Sequence, residues 1–275
     1  MPPPPLVVSS YTLGTEVAFP ARVRAAAAAG FDGIGLRAEN YADARRAGLA
    51  DADMLEIVGG HGLRVREVEY VTGWGSPADR DEAQRHRERT VFHMAQAFGV
   101  RHVNAGLLEQ LPVGQITEGF AALCDRAGPQ LQVALEFMPY SGVPDLATAA
   151  AVLRDAGRPN GALLIDVWHW VRAGTTPVDL APVPAERIVA LQLCDVREHP
   201  MQPPRAESLG HRLPPGQGFG DPVGLVRTLH AHGVRPTVVA VEVISDELVA
   251  GGVERAARIV ADAARAVLAA GVVTA

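Results

Sequence analysis

The sequence predicts an α/β protein, a (β/α)8 barrel occupying residues 1–275 as one domain, and three observations carry that expectation. Short apolar runs alternate with longer helical patterns eight times along the chain. The gaps between them are short, which implies parallel strands joined by crossover helices. The chain has 275 residues, a usual length for eight such units closed into a barrel and less suited to an open doubly wound sheet.

The elements follow in order. The opening Met1 and four prolines read as an extended, poorly ordered lead-in. Residues 6–10 form a first strand, and an alanine-rich helix over 19–29 stops at Gly30. A second strand covers 31–36. A helix from 41 to about 59 breaks at Gly59, Gly60 and Gly62. The third strand, 63–71, places Glu67 and Glu69 two apart and so on one face. A long helix covers 78–98 and ends at Gly99. Strand four is 100–105, helix 113–127 follows, and strand five is 131–137. Asp145 caps a helix over 145–156. Strand six, 162–166, leads into a short helical stretch and a proline-rich link. Strand seven is 188–193. The 195–221 segment is longer than a usual connection and reads as a functional lid. Helix 222–233, strand 238–243 and an Ala/Val-rich helix over 247–270 complete the count.

Composition narrows the function classes. A formal charge of −6 with no long basic run disfavours a nucleic-acid surface. No apolar stretch is long and clean enough to span a bilayer, and the N-terminus lacks the regions of a signal peptide. Cys124 and Cys194 lie far apart in no metal-like spacing, which fits a reduced, cytoplasmic protein.

In an eight-unit barrel the chemistry sits at the C-terminal strand ends. On the last four strands those ends carry Glu136, Asp166, Gln192 and Glu242. A buried carboxylate needs a cation or a proton, and three converging on one mouth call for a divalent metal. Three carboxylates and an amide oxygen form a hard set that suits Mn²⁺ or Mg²⁺ better than Co²⁺ or Zn²⁺. His169 follows Asp166 by three residues between Trp168 and Trp170. The plainer alternative is that Asp166 caps the next helix and His169 packs against the tryptophans. The run from Gly216 to Asp221 precedes a helix; it borders a site or simply caps that helix through Asp221. Glu67, His102, Asn104, Tyr70 and Trp74 are further polar and aromatic candidates for the mouth or the core.

The Leu-Glu-Phe at Glu136, Asp-Val-Trp-His from Asp166, Leu-Gln-Leu-Cys-Asp around Gln192, Gly-Gln-Gly-Phe-Gly-Asp up to Asp221 and Val-Glu-Val at Glu242 together resemble the xylose-isomerase-like TIM barrels, the sugar phosphate isomerase/epimerase superfamily. The resemblance covers nearly the whole chain. It implies a metal held by Glu136, Asp166, Gln192 and Glu242, substrate contacts from His169 and Arg197, with Glu67 a further candidate contact, and barrels that pair into dimers. The activity implied is isomerisation or epimerisation of a small polyhydroxylated carbonyl compound through an enediolate, with Glu136 and Glu242 moving the proton. Gln192 departs from the family's usual histidine. Glutamine at this place resembles the dehydratases acting on 3-dehydroshikimate, so a lyase of that or the inosose type is the alternative. An endonuclease of the same barrel would need many more histidines, and a non-catalytic partner subunit would not need the intact ligand set.

Overall fold

The computed structural model describes residues 3–76 and 80–271. The strands are β1 (Leu6–Val8), β2 (Gly33–Arg37), β3 (Val65–Val71), β4 (His102–Ala105), β5 (Gln132–Glu136), β6 (Gly161–Asp166), β7 (Ile188–Leu193) and β8 (Val238–Val241). They form a closed barrel in sequence order, all parallel, with β8 returning to pair β1. The expected fold class is therefore the observed one.

The helices are α1 (Phe19–Ala28), α2 (Ala38–Arg46), α3 (Asp51–Gly60), α4 (Glu82–Phe98), α5 (Val113–Ala127), α6 (Leu146–Ala156), α7 (Val167–Arg172), α8 (Pro204–Gly210), α9 (Pro222–Ala231), α10 (Asp246–Ala250) and α11 (Val253–Gly271). α4 shows how the sequence sets an element. Asp81 accepts from Gln84 N at 2.7 Å while Gln84 Oε1 accepts from Asp81 N at 2.9 Å, a reciprocal cap. Val91, Met94, Ala95 and Phe98 fall on one face and are buried, and Gly99 stops the helix with φ 66. Residues 78 and 79, the start expected for this helix, lie outside the described residues.

Two expected helices are each a pair. The one at 41–59 divides into α2 and α3, because Gly48 turns with φ 90 and Asp53 accepts from Ala50 N to start a second helix. The last one divides into α10 and α11 at Gly252, also φ 90. Asp145 caps α6 through Thr148 N at 2.7 Å, as its sequence predicted. The lead-in is anchored at its end, since Pro5 O accepts from Val239 N and Leu6 N donates to Asp32 Oδ2.

Two apolar cores result. The larger lies between the barrel wall and the helices and contains Trp74, Phe120, Trp168 and the residues Val133, Leu135, Leu163, Ile165, Leu191, Val239 and Val241 of the strands. The alternate strand residues Val7, Ala134, Ala162, Leu164, Ala190 and Ala240 form a separate cluster inside the barrel. Side chains alternate faces along a strand. Stepping two residues on from Ala134, Leu164, Ala190 and Ala240 gives Glu136, Asp166, Gln192 and Glu242, so all four point inward one layer nearer the C-terminal mouth. Alanines in the layer below leave room for them.

The 195–221 segment is folded and fastened down. It contains α8 and makes isolated bridges, Asp195 with Leu213 and His211 with Ser245. Asp195 accepts from Gly218 N and Gly220 N, which holds the end of the segment against β7. Gly218 is required there, because a Cβ would lie 2.3 Å from Val196 O.

Candidate active site at the barrel mouth

Glu136, Asp166, Gln192 and Glu242 are all buried at the C-terminal end of the barrel. Asp166 pairs in register with Gln192, which pairs in turn with Ala240 on the strand that leads to Glu242. Ligand-type atoms of Glu136, Asp166 and His169 lie within 4.8 Å of one another, a spacing able to hold a metal ion. His169 Nε2 stands 3.3 Å from Glu136 Oε1, and its Nδ1 has no partner. His169, expected to contact substrate, thus also stands in the ligand cluster. Both plainer alternatives hold as well: Asp166 Oδ1 caps α7 by accepting from His169 N at 3.0 Å, and the imidazole packs edge-on to Trp168 at 5.1 Å. Capping and site chemistry use the same carboxylate.

Sequence reasoning missed the main cation of the mouth. Arg212, from the fastened segment, is buried and its NH1 lies 2.7 Å from Asp166 Oδ2 and 3.1 Å from Glu242 Oε2. Its remaining nitrogens donate to Ser208 O and Ser208 Oγ. Arg37 at the end of β2 was missed too. It reaches Glu69 Oε2 at 3.6 Å and Glu242 Oε1 at 3.8 Å, while Ser9 Oγ donates to Glu69 Oε1 at 3.0 Å. A strand-end polar residue on β2 was open to the same reasoning that found Glu136. Arg212 carried no comparable signal, since it is far from any strand end.

Arg197, expected to bind substrate, is placed elsewhere. Its guanidinium is 38% exposed, 3.9 Å from Glu247, and does not line the cavity. It lies nearer β7 in sequence, but the segment turns outward there and brings Arg212 in instead. Glu67, expected to meet substrate, is fully buried and does not line the cavity. Trp74 belongs to the outer core and donates to Gly106 O. Tyr70 is on the cavity wall, whereas His102 and Asn104 are buried beneath it. The Gly216–Asp221 run does not reach the cavity, and Asp221 caps α9 through Gly224 N.

The cavity above these residues has a volume of about 400 Å³. Its wall includes Glu136, His169, Arg212 and Glu242 at the bottom, Tyr70 and Tyr140 at the side, and Arg37, Arg87 and Arg205 around the rim. Five inward carboxylates, Glu67, Glu69, Glu136, Asp166 and Glu242, face two guanidinium groups, Arg37 and Arg212, among the described residues. That imbalance sets their protonation. Burial would raise Asp166, but Arg212 and His169 outweigh it and hold the carboxyl below its usual range. Glu242 shares the same guanidinium at longer range; burial, with Glu69 and Glu136 nearby, pushes it well up. Burial also raises Glu69 against the pull of Arg37. Glu67, desolvated and next to Glu69, is pushed up to about 8.

A closed parallel barrel with its polar cluster at the C-terminal mouth defines the class: a (β/α)8 barrel of the kind that carries its site among the βα loops. The chain belongs to the xylose isomerase-like TIM barrel family, whose model matches residues 23–268. Solved structures agree on the fold. A "xylose isomerase-like TIM barrel/4-hydroxyphenylpyruvate dioxygenase fusion protein" superposes with TM-score 0.83 at 20% identity over 96% of this chain, which spans 42% of that longer protein. The IOLI protein, solved with a zinc atom bound, gives TM-score 0.86 at 19% identity, covering 98% of this chain and 100% of that one. The probable 3-DHS dehydratase AsbF of Bacillus anthracis, involved in petrobactin synthesis, gives 0.72 at 14% identity over 95% and 97%. No curated protein sequence matches the chain. Among the described residues no helix is long and apolar enough to cross a membrane.

Proposed function

We propose that the mouth is a divalent-metal centre at which a carboxylate moves a proton on carbon, making the protein an isomerase or epimerase of a small polyhydroxylated carbonyl compound. The observation that carries this is the clustering of Glu136, Asp166 and His169 within 4.8 Å at the bottom of a cavity of about 400 Å³. The residues fit a cation. The carboxylates outnumber their guanidinium partners, and Gln192 Oε1 and His169 Nδ1 are buried without a partner. Glu136, Asp166, Gln192 and Glu242 would hold the ion, with His169 in reach. The oxygen-rich set suits Mn²⁺ or Mg²⁺, and the imidazole brings Co²⁺ or Zn²⁺ within range. When bound, the ion supplies Lewis-acid polarisation of a carbonyl and its neighbouring hydroxyl.

The chain's own groups do the rest. Glu242 is the proton acceptor, since its carboxyl lines the cavity and stands 3.1 Å from Arg212, beside the candidate ligands. Glu136, beside His169, returns or removes the proton from the other side of the mouth. Tyr70 and Tyr140 screen the cavity from water, and His169 and the rim arginines orient the substrate.

A second reading is a dehydratase, which takes the same proton and then expels a β-hydroxyl. Two observations favour it. Glutamine stands at position 192, and Arg37, Arg87, Arg205 and Arg212 all face the cavity, a lining suited to a substrate bearing a carboxylate. The test is incubation of the Mn²⁺-loaded protein with ketoses, inososes and 3-dehydroshikimate in D₂O. An isomerase or epimerase exchanges the α-hydrogen and conserves mass; a dehydratase loses water and forms a conjugated, ultraviolet-absorbing product. Glu242→Gln should keep metal by mass spectrometry while exchange falls roughly 100-fold or more, within the range of general-base loss. Turnover of a substrate with neither exchange nor elimination would remove proton abstraction altogether.

A further inference from the structure

At the mouth and just beneath it the barrel interior holds polar atoms that nothing satisfies. Glu67 on β3, Asn104 on β4 and Gln192 on β7 are each at most 1% exposed. Both carboxylate oxygens of Glu67, both amide atoms of Asn104 and Oε1 of Gln192 lack a hydrogen-bond partner. Buried polar groups are nearly always paired, so a cluster of orphans in one place marks a job that the polypeptide alone does not complete. The proton chemistry above accounts for Gln192 and for neither of the others.

Their arrangement is informative. Gln192 and Asn104 both stand beside the Glu67 carboxyl, close enough for their hydrogen-bonding influence to oppose the effect of burial on it, though short of closed bonding geometry. The wall behind Glu67 is Gly35, where a Cβ would come within 3.2 Å of Glu67 Oε1, so the strand is trimmed to fit the carboxyl. A glutamine ligand has a problem that a histidine or carboxylate does not. Its two ends are nearly the same shape, yet Oε1 binds a cation and Nε2 repels it. The inward residues flanking Gln192 are Ala190 and Ala240, which offer no polar side-chain atom, and Asp166 in register on β6, whose oxygens are already engaged by Arg212 NH1 and His169 N.

We propose that Glu67 is a positioning residue that accepts a hydrogen bond from Gln192 Nε2 and so fixes Gln192 Oε1 toward the metal ligands. The role needs an acceptor oxygen, which Glu67 offers whether its carboxyl is ionised or protonated. Asn104 steadies the far side of the same carboxyl, between Glu67 and Glu69. Outer partners of this kind orient metal ligands, and losing them typically costs 10–100-fold in affinity. The inference rests on the reading that Gln192 helps hold a divalent ion.

The experiment compares Glu67→Gln, which is neutral but keeps an acceptor oxygen, with Glu67→Leu, which keeps only the volume. Mn²⁺ affinity is read by calorimetry, and ligand geometry by the visible absorption of the Co²⁺ form. Glu67→Gln should bind within about 3-fold of the parent, while Glu67→Leu should bind roughly 10–100-fold more weakly with an altered Co²⁺ spectrum. In a Gln192→Ala background, Glu67→Leu should weaken binding no further. Equal losses in the Gln and Leu variants would make Glu67 a remote charge and overturn the proposal. So would an undiminished Glu67→Leu affinity, or a loss that persists without Gln192. A parent protein that binds neither Mn²⁺ nor Zn²⁺ would instead defeat the metal reading, and this inference with it. Should Glu67→Leu fail to fold by circular dichroism, Glu67→Met carries the same comparison.

Discussion

Asp166 and Glu67 are both fully buried in the interior of one barrel, yet Arg212 lies 2.7 Å from the first and nothing bonds to the second. The consequence is opposite protonation. Asp166 is held below the usual carboxylate range, and Glu67 is pushed up to about 8. The upper layer is thus an ion network in which one guanidinium is divided between Asp166 and Glu242. Glu67, which keeps its proton up to about 8, needs no counter-ion. Asp166 and Glu67 are equally buried, so the close guanidinium makes the difference between these two; Glu242, which shares it at longer range beside other carboxylates, stays raised.

Removing that guanidinium is the hardest test of the contrast. Arg212→Met leaves Asp166 and Glu242 desolvated beside each other, and breaking a buried pair from one side costs about 3–5 kcal/mol. Urea denaturation of the metal-free protein should show that loss, with part of it restored by added Mn²⁺. A loss below about 1 kcal/mol would mean that both carboxyls simply take up protons and that the two layers do not differ.

Glu67 predicts a pH effect of opposite sign to Asp166. Between about 4.5 and about 8 the folded, metal-free protein keeps a proton on Glu67 that the unfolded chain has released. The folded state then binds more protons, so stability falls as pH rises through that window. Glu67→Gln should make the decline shallower, as followed by Tm from pH 5 to pH 8. Asp166 works the other way: its contribution is present above the ordinary aspartate pKa of 3.8 and is lost as pH falls through its lower folded value. An unchanged profile in Glu67→Gln would show that Glu67 is ionised like Asp166.

A site outside both layers gives the smallest effect and the baseline. Asp145 caps α6 through one hydrogen bond at 2.7 Å. Asp145→Ala should cost about 1 kcal/mol and leave both the pH profile and Mn²⁺ affinity unmoved. A shift in either would mean that stability changes anywhere in the barrel reach the mouth.

Much of this was legible before any coordinates. The inward direction of Glu136, Asp166, Gln192 and Glu242 follows from a period of two along short apolar runs, and the strand order follows from alternation with helices. Glycines that interrupt helices were harder to read: Gly48 and Gly252 divide segments whose apolar pattern runs on across them. Arg212 was out of reach for a different reason. An arginine in a Pro/Gly-rich segment has the same local signature whether it points to water or into a carboxylate cluster, and the choice is made by how the segment docks. Arg197 lies nearer the strand in sequence, yet it is Arg212 that lines the cavity. Glu67 was found, but its depth was not, because period two fixes the face of a strand and not the layer.

The contact from Ser9 Oγ to Glu242 Oε1, 3.4 Å long, joins residues 233 positions apart, and Thr12 Oγ1 bonds Val241 O across 229. Arg212 reaches its two carboxylates from 46 residues after one and 30 before the other. Contacts this distant in sequence carry a large loop-closure cost. The contacts of Ser9 and Thr12 with Val241 and Glu242 need β8 docked beside β1. The mouth therefore depends on the strand that closes the barrel, and a chain cut before β8 has no enclosed site to fill.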